Sequence, residues 1–407
     1  MKIGMLVNNL NVSGGYQKLV VRLSEQLVNN GHEVIIYTLS INDQVCYPEI
    51  IKNLRVISIP FSYKRNNKLF NKINDLIFGK IIIISKIRKL AKLIKKDTEL
   101  LIIHDEICLH SLNWIKKRNN IKIIWMLNNQ LSDEFDNIYK IIINNFKKLK
   151  NIKDLAINLC LIPQILVNHI SLKLSIRKVD KFAVYDSINQ KLIKNKIGKE
   201  AYIVFAGADL NEYQKFFKKK FSKYKNKYTI LSVGIFFPHR RYEDIIEAIS
   251  ILKNEKIKVN LIIVGRQDQH IEYSASIIKK VKELKLEEEI IFKQKVSNEE
   301  MIELYENSDI FCFVNNGFTW GISVFEAMAI GLPVIITNNI GAADLIKNEI
   351  NGFIVTPCSP KEIATTIKKI INYKEIDTLI NKAYEDIKNI LSWKEFSKRI
   401  FNLIYEK

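Results

Sequence analysis

Three charged side chains stand where an α/β protein can direct them at a phosphorylated, hydroxyl-rich ligand. Arg240 and Arg241 follow an apolar run that ends at Gly234, and Glu326 lies at the start of an otherwise apolar helical stretch. Arginine holds phosphate oxygens with two donors and keeps its charge. A carboxylate is costly to bury unpaired, so Glu326 faces either solvent or a ligand hydroxyl. For Arg241 alone, pairing with the acidic residues just after it is an equally good prediction.

Glycines mark the loops that would carry backbone groups to such a ligand. Gly14 and Gly15 follow the first apolar run and precede a helical pattern, which leaves amide N–H groups and a helix N-terminus exposed to a phosphate or sugar oxygen. A turn glycine is the simpler explanation of the pair alone. The chain contains no G-x-G-x-x-G fingerprint, which disfavours a nicotinamide or flavin enzyme.

Short apolar strands alternate with helical patterns along the whole chain, which is typical of parallel sheets with crossover helices. Gly31 should end the first helix, predicted over 16–30. The predicted strands are 2–7, 34–39, 100–104 and 121–127 in the first half, and 228–233, 259–264, 289–293, 310–314, 334–337 and 353–355 in the second.

The chain is too long for one ordinary core, since its 407 residues fit two domains of about 200 residues each. The periodicity breaks near Gly207-Ala208-Asp209, and a lysine-rich stretch follows. We therefore predict two doubly wound α/β domains with a boundary at that point. In open α/β sheets, ligands bind at the carboxyl ends of the strands, where Arg240 is predicted to lie.

The string from Gly317 to Val334 resembles the acidic-residue segment of retaining nucleotide-sugar glycosyltransferases of family 4 (glycosyl transferases group 1). That family has two glutamates in this segment; Glu326 matches the second, and Phe318 stands at the position of the first. The phrase Gly31-His32-Glu33-Val34 after the first helix and Leu391-Ser392-Trp393 near the end also match the family.

The resemblance implies the glycosyltransferase B fold, in which two Rossmann-like domains face a central cleft. It implies an acceptor-side domain over 1–207, a nucleotide-sugar-binding domain over 208–390, and a terminal helix over 391–407 that crosses back to the first domain. It also implies an enzyme of the hexosyltransferase type that moves a sugar, with retention, from a nucleoside-diphosphate sugar to a glycan or lipid-linked acceptor in cell-surface polysaccharide or glycoconjugate synthesis.

The family's functional positions are carried over residue by residue. By resemblance, Arg240 faces the donor diphosphate and Glu326 holds the ribose hydroxyls of the nucleotide, and both are predicted to be catalytic. No metal ion or other cofactor is expected. The predicted donor-binding residues are Gly14, Gly15, Asn128, Gly234, Arg241, Gly265, Val296, Gly321, Ile322, Ser323 and Val324.

Three positions depart from the family's pattern. Ile235, Asn128 and Phe318 each lack the polar or charged group that the family has there. The departures motivate an alternative of another class, a glycosyltransferase-like binding or scaffold subunit without turnover. They also predict a recognition of the donor sugar that differs from the common pattern.

Charge is distributed unevenly, which bears on partners. Residues 1–200 carry 33 Lys and Arg against 16 Asp and Glu, whereas the rest of the chain carries 30 against 27. A basic half can meet an anionic membrane surface or an acidic acceptor. Residues 64–96 combine eleven basic side chains with one helical apolar face, which fits either a membrane-surface helix or a surface helix packed on the sheet. Nucleic acid is not expected, because no recognisable module is present.

The location predicted from the sequence is the cytoplasm, with the inner face of the cytoplasmic membrane as an alternative site of peripheral attachment. The five cysteines form no paired spacing, and the start of the chain has no secretion-signal pattern. The longest aliphatic runs are far shorter than the roughly 20 residues that span a bilayer.

Overall fold

The computed structural model describes residues 1–59, 82–115, 121–127, 131, 152–217, 221–222, 225–317 and 319–405. The chain divides into two compact units: Met1–Val204 with Phe396–Lys407 form the first, and Phe205–Glu395 form the second. Each unit is built on one parallel sheet, so the α/β fold with two doubly wound, Rossmann-like halves is confirmed.

The sheet of the first unit has seven strands in the order β3-β2-β1-β4-β5-β6-β7, all parallel. Strand order reverses between β1 and β4, which is the point where open α/β sheets form a crevice at the carboxyl ends of their strands. The strands are β1 (Lys2–Leu10), β2 (Glu33–Ile41), β3 (Arg55–Ser58), β4 (Leu100–Ile103), β5 (Lys122–Leu127), β6 (Lys181–Val184) and β7 (Ala201–Ile203).

The sheet of the second unit has six parallel strands in the order β10-β9-β8-β11-β12-β13, with the same reversal between β8 and β11. All six were predicted from the sequence, because buried parallel strands read as nearly continuous apolar runs. The strands are β8 (Tyr228–Val233), β9 (Val259–Val264), β10 (Ile290–Lys293), β11 (Ile310–Phe313), β12 (Val334–Thr337) and β13 (Phe353–Val355).

Helices connect the strands, and several begin or end at residues that the sequence marks clearly. Ser297 and Glu300 form a reciprocal capping box at one helix start, and Asp186 caps another. Gly31 has a φ of 83° just after the first helix, as its predicted stop requires. The α-helices among the described residues include Gly15–Asn29, Pro48–Ile51, Ile152–Ile176, Ser187–Ile197, Leu210–Gln214, Tyr242–Asn254, Ile271–Glu283, Asn298–Glu306, Ile322–Ile330, Pro360–Asn372, Ile376–Lys388 and Trp393–Tyr405.

The basic segment 64–96 packs on the sheet wherever the structure describes it. Residues 82–93 are helical, and Ile87, Leu90 and Ile94 are buried in the core of the first unit. The apolar stripe is therefore a core contact from residue 82 onward, and the prediction of a free membrane face is wrong for these residues. The rest of the segment, up to residue 81, lies outside the described residues.

The helix Ile152–Ile176 contains Pro163 and continues on both sides of it. Proline removes one backbone donor, and a helix of 25 residues keeps many others. Strands β3, β6 and β7 were not predicted from the sequence. No helix among the residues described is long and apolar enough to cross a membrane.

The last helix runs from Trp393 to Tyr405, and its residues from Phe396 onward belong to the first unit. There the ring of Phe396 packs edge-on against Tyr185, and Phe401 stacks on His32 with ring centroids 4.6 Å apart. The first unit therefore contains both ends of the chain.

Candidate functional site

The second unit places its charged residues at the reversal of strand order between β8 and β11. β8 leads into Gly234 and the short 3-10 helix Pro238–Arg240, and β11 leads into the loop 314–321. The two segments touch, because the Asn316 N–H donates to the His239 carbonyl at 2.7 Å. Residues separated by about 80 positions in the sequence thus share one edge of the sheet.

Arg240 is held between these two segments by packing. Its Cζ lies 5.0 Å from the centre of the Phe313 ring, at the end of β11. A Cβ on Gly234 would lie 3.1 Å from Arg240 Nε, so the glycine makes room for the guanidinium. Asn315 is fully buried, and in the amide orientation that satisfies both of its ends it accepts from Arg240 Nη1 at 3.3 Å.

Arg240 carries a positive charge that no carboxylate offsets among the residues described. Its Nε is buried without a hydrogen-bond partner, and it forms no salt bridge there. Burial lowers the pKa of the guanidinium, which nevertheless starts so far above 7 that the charge remains at neutral pH. A buried, unpaired cation is costly, and a ligand anion would offset that cost.

The neighbouring His239 adds no second charge at neutral pH. Partial burial and the charge of Arg240 lower the pKa of its imidazole to about 4. Above that pH the ring is neutral and can exchange hydrogen bonds, but it cannot offset an anion. Of these two neighbouring side chains, Arg240 is therefore the one that is charged at neutral pH.

Arg241 pairs with two acidic residues in the first turn of the helix Tyr242–Asn254, which follows it directly. It donates to both carboxylate oxygens of Asp244, at 2.9 and 2.7 Å, and its Nη1 lies 2.8 Å from Glu243. Hydrogen bonding to Asp244 raises the pKa of Arg241 further above its ordinary value. Of the two predictions made for Arg241, the structure favours pairing with its acidic neighbours over contact with a donor.

The helix Ile322–Ile330 begins after the loop that follows β11. Gly321 has a φ of 86°, a conformation that favours glycine, and no side chain caps the helix. The Val324 N–H donates to the Gly321 carbonyl, so the leading N–H groups are those of Ile322 and Ser323. The Phe313 ring that packs on Arg240 also lies 3.6 Å from the position of a Cβ on Gly321. Arg240 and the start of this helix therefore both lie against Phe313.

Glu326 is half-buried one turn into that helix, and it has a partner that the sequence did not reveal. The Tyr305 hydroxyl, fully buried, donates to Glu326 Oε2 at 3.2 Å and also lies 3.4 Å from the Ser323 carbonyl. Burial raises the pKa of Tyr305 well above 10, so the phenol keeps its proton and acts as a donor. The only sequence signal for this contact is a tyrosine at the end of an amphipathic helix.

Gly234 and Gly265 are required by the backbone at the exits of β8 and β9. A Cβ on Gly265 would lie 1.8 Å from the Gly234 carbonyl oxygen, which no side chain tolerates. That carbonyl also accepts from the Tyr242 hydroxyl at 2.6 Å. The structure thus explains Gly265 by close backbone packing. Val296 lies half-buried in the loop after β10.

The glycine pair of the first unit lies at the corresponding reversal, between β1 and β4. Gly14 is the extended residue before the helix, and Gly15 begins it. The half-buried carboxylate of Asp105, after β4, accepts from the Asn8 N–H and from the Tyr16 hydroxyl. These contacts tie the glycine-bearing loop to the neighbouring strand, and Tyr47 donates to the Gly14 carbonyl at 3.1 Å.

Two of the positions singled out in the sequence, Asn128 and Phe318, lie outside the described residues. Ile235, the third departure from the family pattern, is an exposed side chain next to Gly234. Among the residues that the structure covers, no group of three or more His, Cys, Asp or Glu side chains is arranged to hold a metal ion.

Comparison with known proteins agrees with this geometry. Residues 213–386 match the family model described as glycosyl transferases group 1. An uncharacterized glycosyltransferase of Haemophilus influenzae is 23% identical over 403 residues, which is 97% of this chain and 99% of that protein. The capsular polysaccharide biosynthesis glycosyltransferase CapM of Staphylococcus aureus is 26% identical over 233 residues, 53% of this chain and 60% of CapM.

A solved structure shares the fold over the whole chain. The structure of Anabaena HepE in complex with UDP and glucose superposes with a TM-score of 0.72 at 15% identity, covering 100% of both chains. At that identity the likeness establishes the fold alone. The matched family model spans β8 to β13 and includes Arg240, Gly321 and Glu326. The comparisons therefore support a glycosyltransferase, with residues 213–386, in the second unit, matching the glycosyl transferases group 1 model.

Proposed function

We propose that this chain is a retaining, family 4 glycosyltransferase that moves a sugar from a nucleoside-diphosphate sugar to a glycan or lipid-linked acceptor. The proposal rests on two groups that favour anions, the Arg240 side chain and the N-terminus of the helix after Gly321. Both follow the carboxyl ends of β8 and β11, where the strand order reverses. Arg240 has no carboxylate partner among the described residues, and the helix after Gly321 begins without a side-chain cap. Together they fit the two phosphates of a donor.

The proposed role of Arg240 and the Ile322 and Ser323 N–H groups is to stabilise the departing diphosphate. The bond between the anomeric carbon and the diphosphate oxygen breaks, and the diphosphate leaves with the electron pair. An acceptor hydroxyl oxygen then bonds to the same face of the anomeric carbon, and its proton passes to the departing diphosphate oxygen. Fixed donors aimed at developing negative charge are worth the most in such a step. The proposal requires no metal ion or other cofactor.

The proposed role of Glu326 is to accept hydrogen bonds from the ribose hydroxyls of the nucleotide. The Tyr305 hydroxyl occupies one oxygen at 3.2 Å, which orients the carboxylate. A carboxylate can accept hydrogen bonds from a pair of vicinal hydroxyls. In this proposal Tyr305 is a positioning residue, because it acts on the ligand through Glu326.

Relatives suggest the class of donor and acceptor. HepE was solved with UDP and glucose, and CapM is named for capsular polysaccharide biosynthesis. We therefore take uridine-diphosphate sugars as the first donors to test, and a cell-surface polysaccharide or glycoconjugate as the destination. The proposed location is the cytoplasm, with the basic first unit bound peripherally to an anionic membrane surface.

A thermal-shift screen of nucleoside diphosphates and their sugars tests donor binding. The matching nucleotide should raise the melting temperature by about 5–10 °C at a hundredfold excess over its dissociation constant. In Glu326→Ala, binding of the same nucleotide should weaken on the order of 10- to 100-fold, because hydrogen bonds to a charged acceptor are lost. A screen without any stabilising nucleotide, or an unchanged affinity in Glu326→Ala, would contradict the proposal. Sugar transfer by the purified chain is the accompanying activity assay.

Tyr305→Phe tests the positioning role. We expect the affinity for the nucleoside diphosphate to fall about three- to tenfold, since one hydrogen bond that orients Glu326 is removed. A 2′,3′-dideoxynucleoside diphosphate is the matched control, because it lacks the hydroxyls that Glu326 would bind. Its affinity should be the same for both proteins. Equal losses for the two ligands would indicate a general structural defect and overturn the assignment.

A further inference from the structure

The helix Ile152–Ile176 of the first unit has an outer face made of exposed aliphatic side chains. Leu166, Val167, Ile170 and Leu174 have exposed fractions of 40%, 65%, 56% and 46%. With about 3.6 residues per turn, positions 166, 170 and 174 form one line along the helix and 167 lies beside it. We call these four residues the outer stripe. Scattered exposed aliphatics are ordinary, whereas a contiguous row usually marks a contact surface.

The opposite face of the same helix is anchored by polar contacts. The Asn113 side chain donates to the Ser171 carbonyl at 3.1 Å and to Ser175 Oγ at 3.0 Å. His110 Nδ1 and Ser171 Oγ are 2.7 Å apart, and Asn168 is buried on this side together with Leu172. The helix is therefore held against its unit by hydrogen-bonded side chains together with Leu172 and Ile176 in the core, while its solvent side carries the aliphatic outer stripe. An aliphatic row on the solvent side departs from the usual pattern of a surface helix.

Charge along the chain through the outer stripe has one sign. No acidic residue occurs between Asp154 and Asp180, and Lys173 and Arg177 are exposed. Position 173 follows Leu166 by seven residues, so Lys173 lies on the outer face, and Arg177 follows directly after the end of the helix. They belong to the half of the chain that carries 33 basic and 16 acidic side chains. An aliphatic row with cations beside it is complementary to an anionic lipid surface.

We propose that the outer stripe is the surface through which this protein docks on an anionic membrane. Its aliphatic side chains enter the boundary between headgroups and acyl chains, and Lys173 and Arg177 contact lipid phosphates. A second copy of the chain fits less well, because a twofold contact through the same patch would bring the cations of both copies together. The proposal makes the proposed peripheral location specific, and it does not depend on donor binding.

Sedimentation with lipid vesicles tests the docking surface. We expect the full chain to bind vesicles of phosphatidylcholine mixed with phosphatidylglycerol, and to bind pure phosphatidylcholine more weakly. The double variant Val167→Glu with Ile170→Glu should lower the partition to mixed vesicles at least about tenfold. The matched control is Ile350→Glu, since Ile350 is 52% exposed in the second unit, and it should bind like the unchanged protein.

Two further variants separate apolar from electrostatic contributions. Val167→Ser with Ile170→Ser should weaken binding without adding charge, and it serves as the second variant if the glutamates disturb folding. Lys173→Gln with Arg177→Gln should weaken binding to mixed vesicles on the order of tenfold at low salt and leave pure phosphatidylcholine unaffected. Each variant is first compared with the unchanged chain by circular dichroism.

Three results would overturn the proposal. The first is unchanged vesicle binding in both outer-stripe variants, and the second is an equal loss in Ile350→Glu. The third is a lipid-free dimer, seen by analytical ultracentrifugation, that Val167→Glu with Ile170→Glu dissociates; this would assign the stripe to self-association. Donor binding by thermal shift should stay unchanged in every one of these variants, so a failure here is distinguishable from a failure of the proposed enzymatic function.

Discussion

Replacing Arg240 with methionine is expected to lower kcat/KM for sugar transfer about 10²- to 10³-fold, the loss typical of removing one fixed donor from a site of developing negative charge. Arg240 and the start of the helix after Gly321 both lie against Phe313, so in the proposed function Arg240 would face the diphosphate as the bond to the sugar breaks. Little stability should be lost, because the structure gives Arg240 no ion pair among the described residues. Initial rates with the donor identified by thermal shift measure the effect.

Arg240→Lys separates the contribution of the positive charge from that of the planar guanidinium group. Lysine keeps a positive charge but lacks the planar fork that contacts two phosphate oxygens, so an intermediate rate is expected. Arg55→Met is the matched control for loss of a surface cation, because Arg55 is exposed at the amino end of β3, away from the carboxyl edge of its sheet. A rate for Arg240→Met equal to that of Arg55→Met would contradict a role in transfer.

Replacing Arg241 with alanine is expected to lower the free energy of unfolding by about 3–5 kcal/mol, the usual cost of removing one partner from a buried ion pair. Asp244 is almost fully buried, and Arg241 holds both of its carboxylate oxygens. Without Arg241 that charge would be left in a poorly solvated place. Urea-induced unfolding measures the loss as a lower midpoint.

A double variant shows whether the unpaired charge of Asp244 causes the loss of stability. Arg241→Ala with Asp244→Ala should regain much of the stability, because no buried charge then remains unpaired. A double variant as unstable as Arg241→Ala alone would point to another cause. The rate of transfer separates the two arginines, since the folded Arg241→Ala protein should keep activity that Arg240→Met loses. Equal losses of activity would restore the prediction that Arg241 contacts the donor.

The two arginines show how far sequence reasoning reaches. Both are adjacent cations in the same loop, and the sequence offers an acidic partner for each at similar spacing. Arg241 has a φ of 51°, which turns its side chain toward Glu243 and Asp244. Arg240, one residue earlier in the 3-10 helix, packs instead on Gly234 and Phe313. The backbone conformation of one residue separates their roles, and composition does not reveal it.

The contact between Glu326 and Tyr305 is a second feature that sequence reasoning did not predict. The position of Glu326 was predicted from the pattern around it, whereas its partner lies 21 residues earlier in the preceding helix. A contact between two helices depends on the strands that separate them in the chain and on how each helix packs. The same holds for Asp105 and Tyr16, which are 89 residues apart and meet because β1 and β4 are neighbours.

The α/β class and all six strands of the second sheet could be predicted from the sequence alone, because buried parallel strands are continuous apolar runs. Which charges are already paired, which apolar faces are buried and which remain exposed became known only from the three-dimensional contacts. The stripe beginning at Ile87 proved to be core, and the row from Leu166 to Leu174 proved to face outward. Both read alike in sequence, because burial depends on neighbours that are distant along the chain.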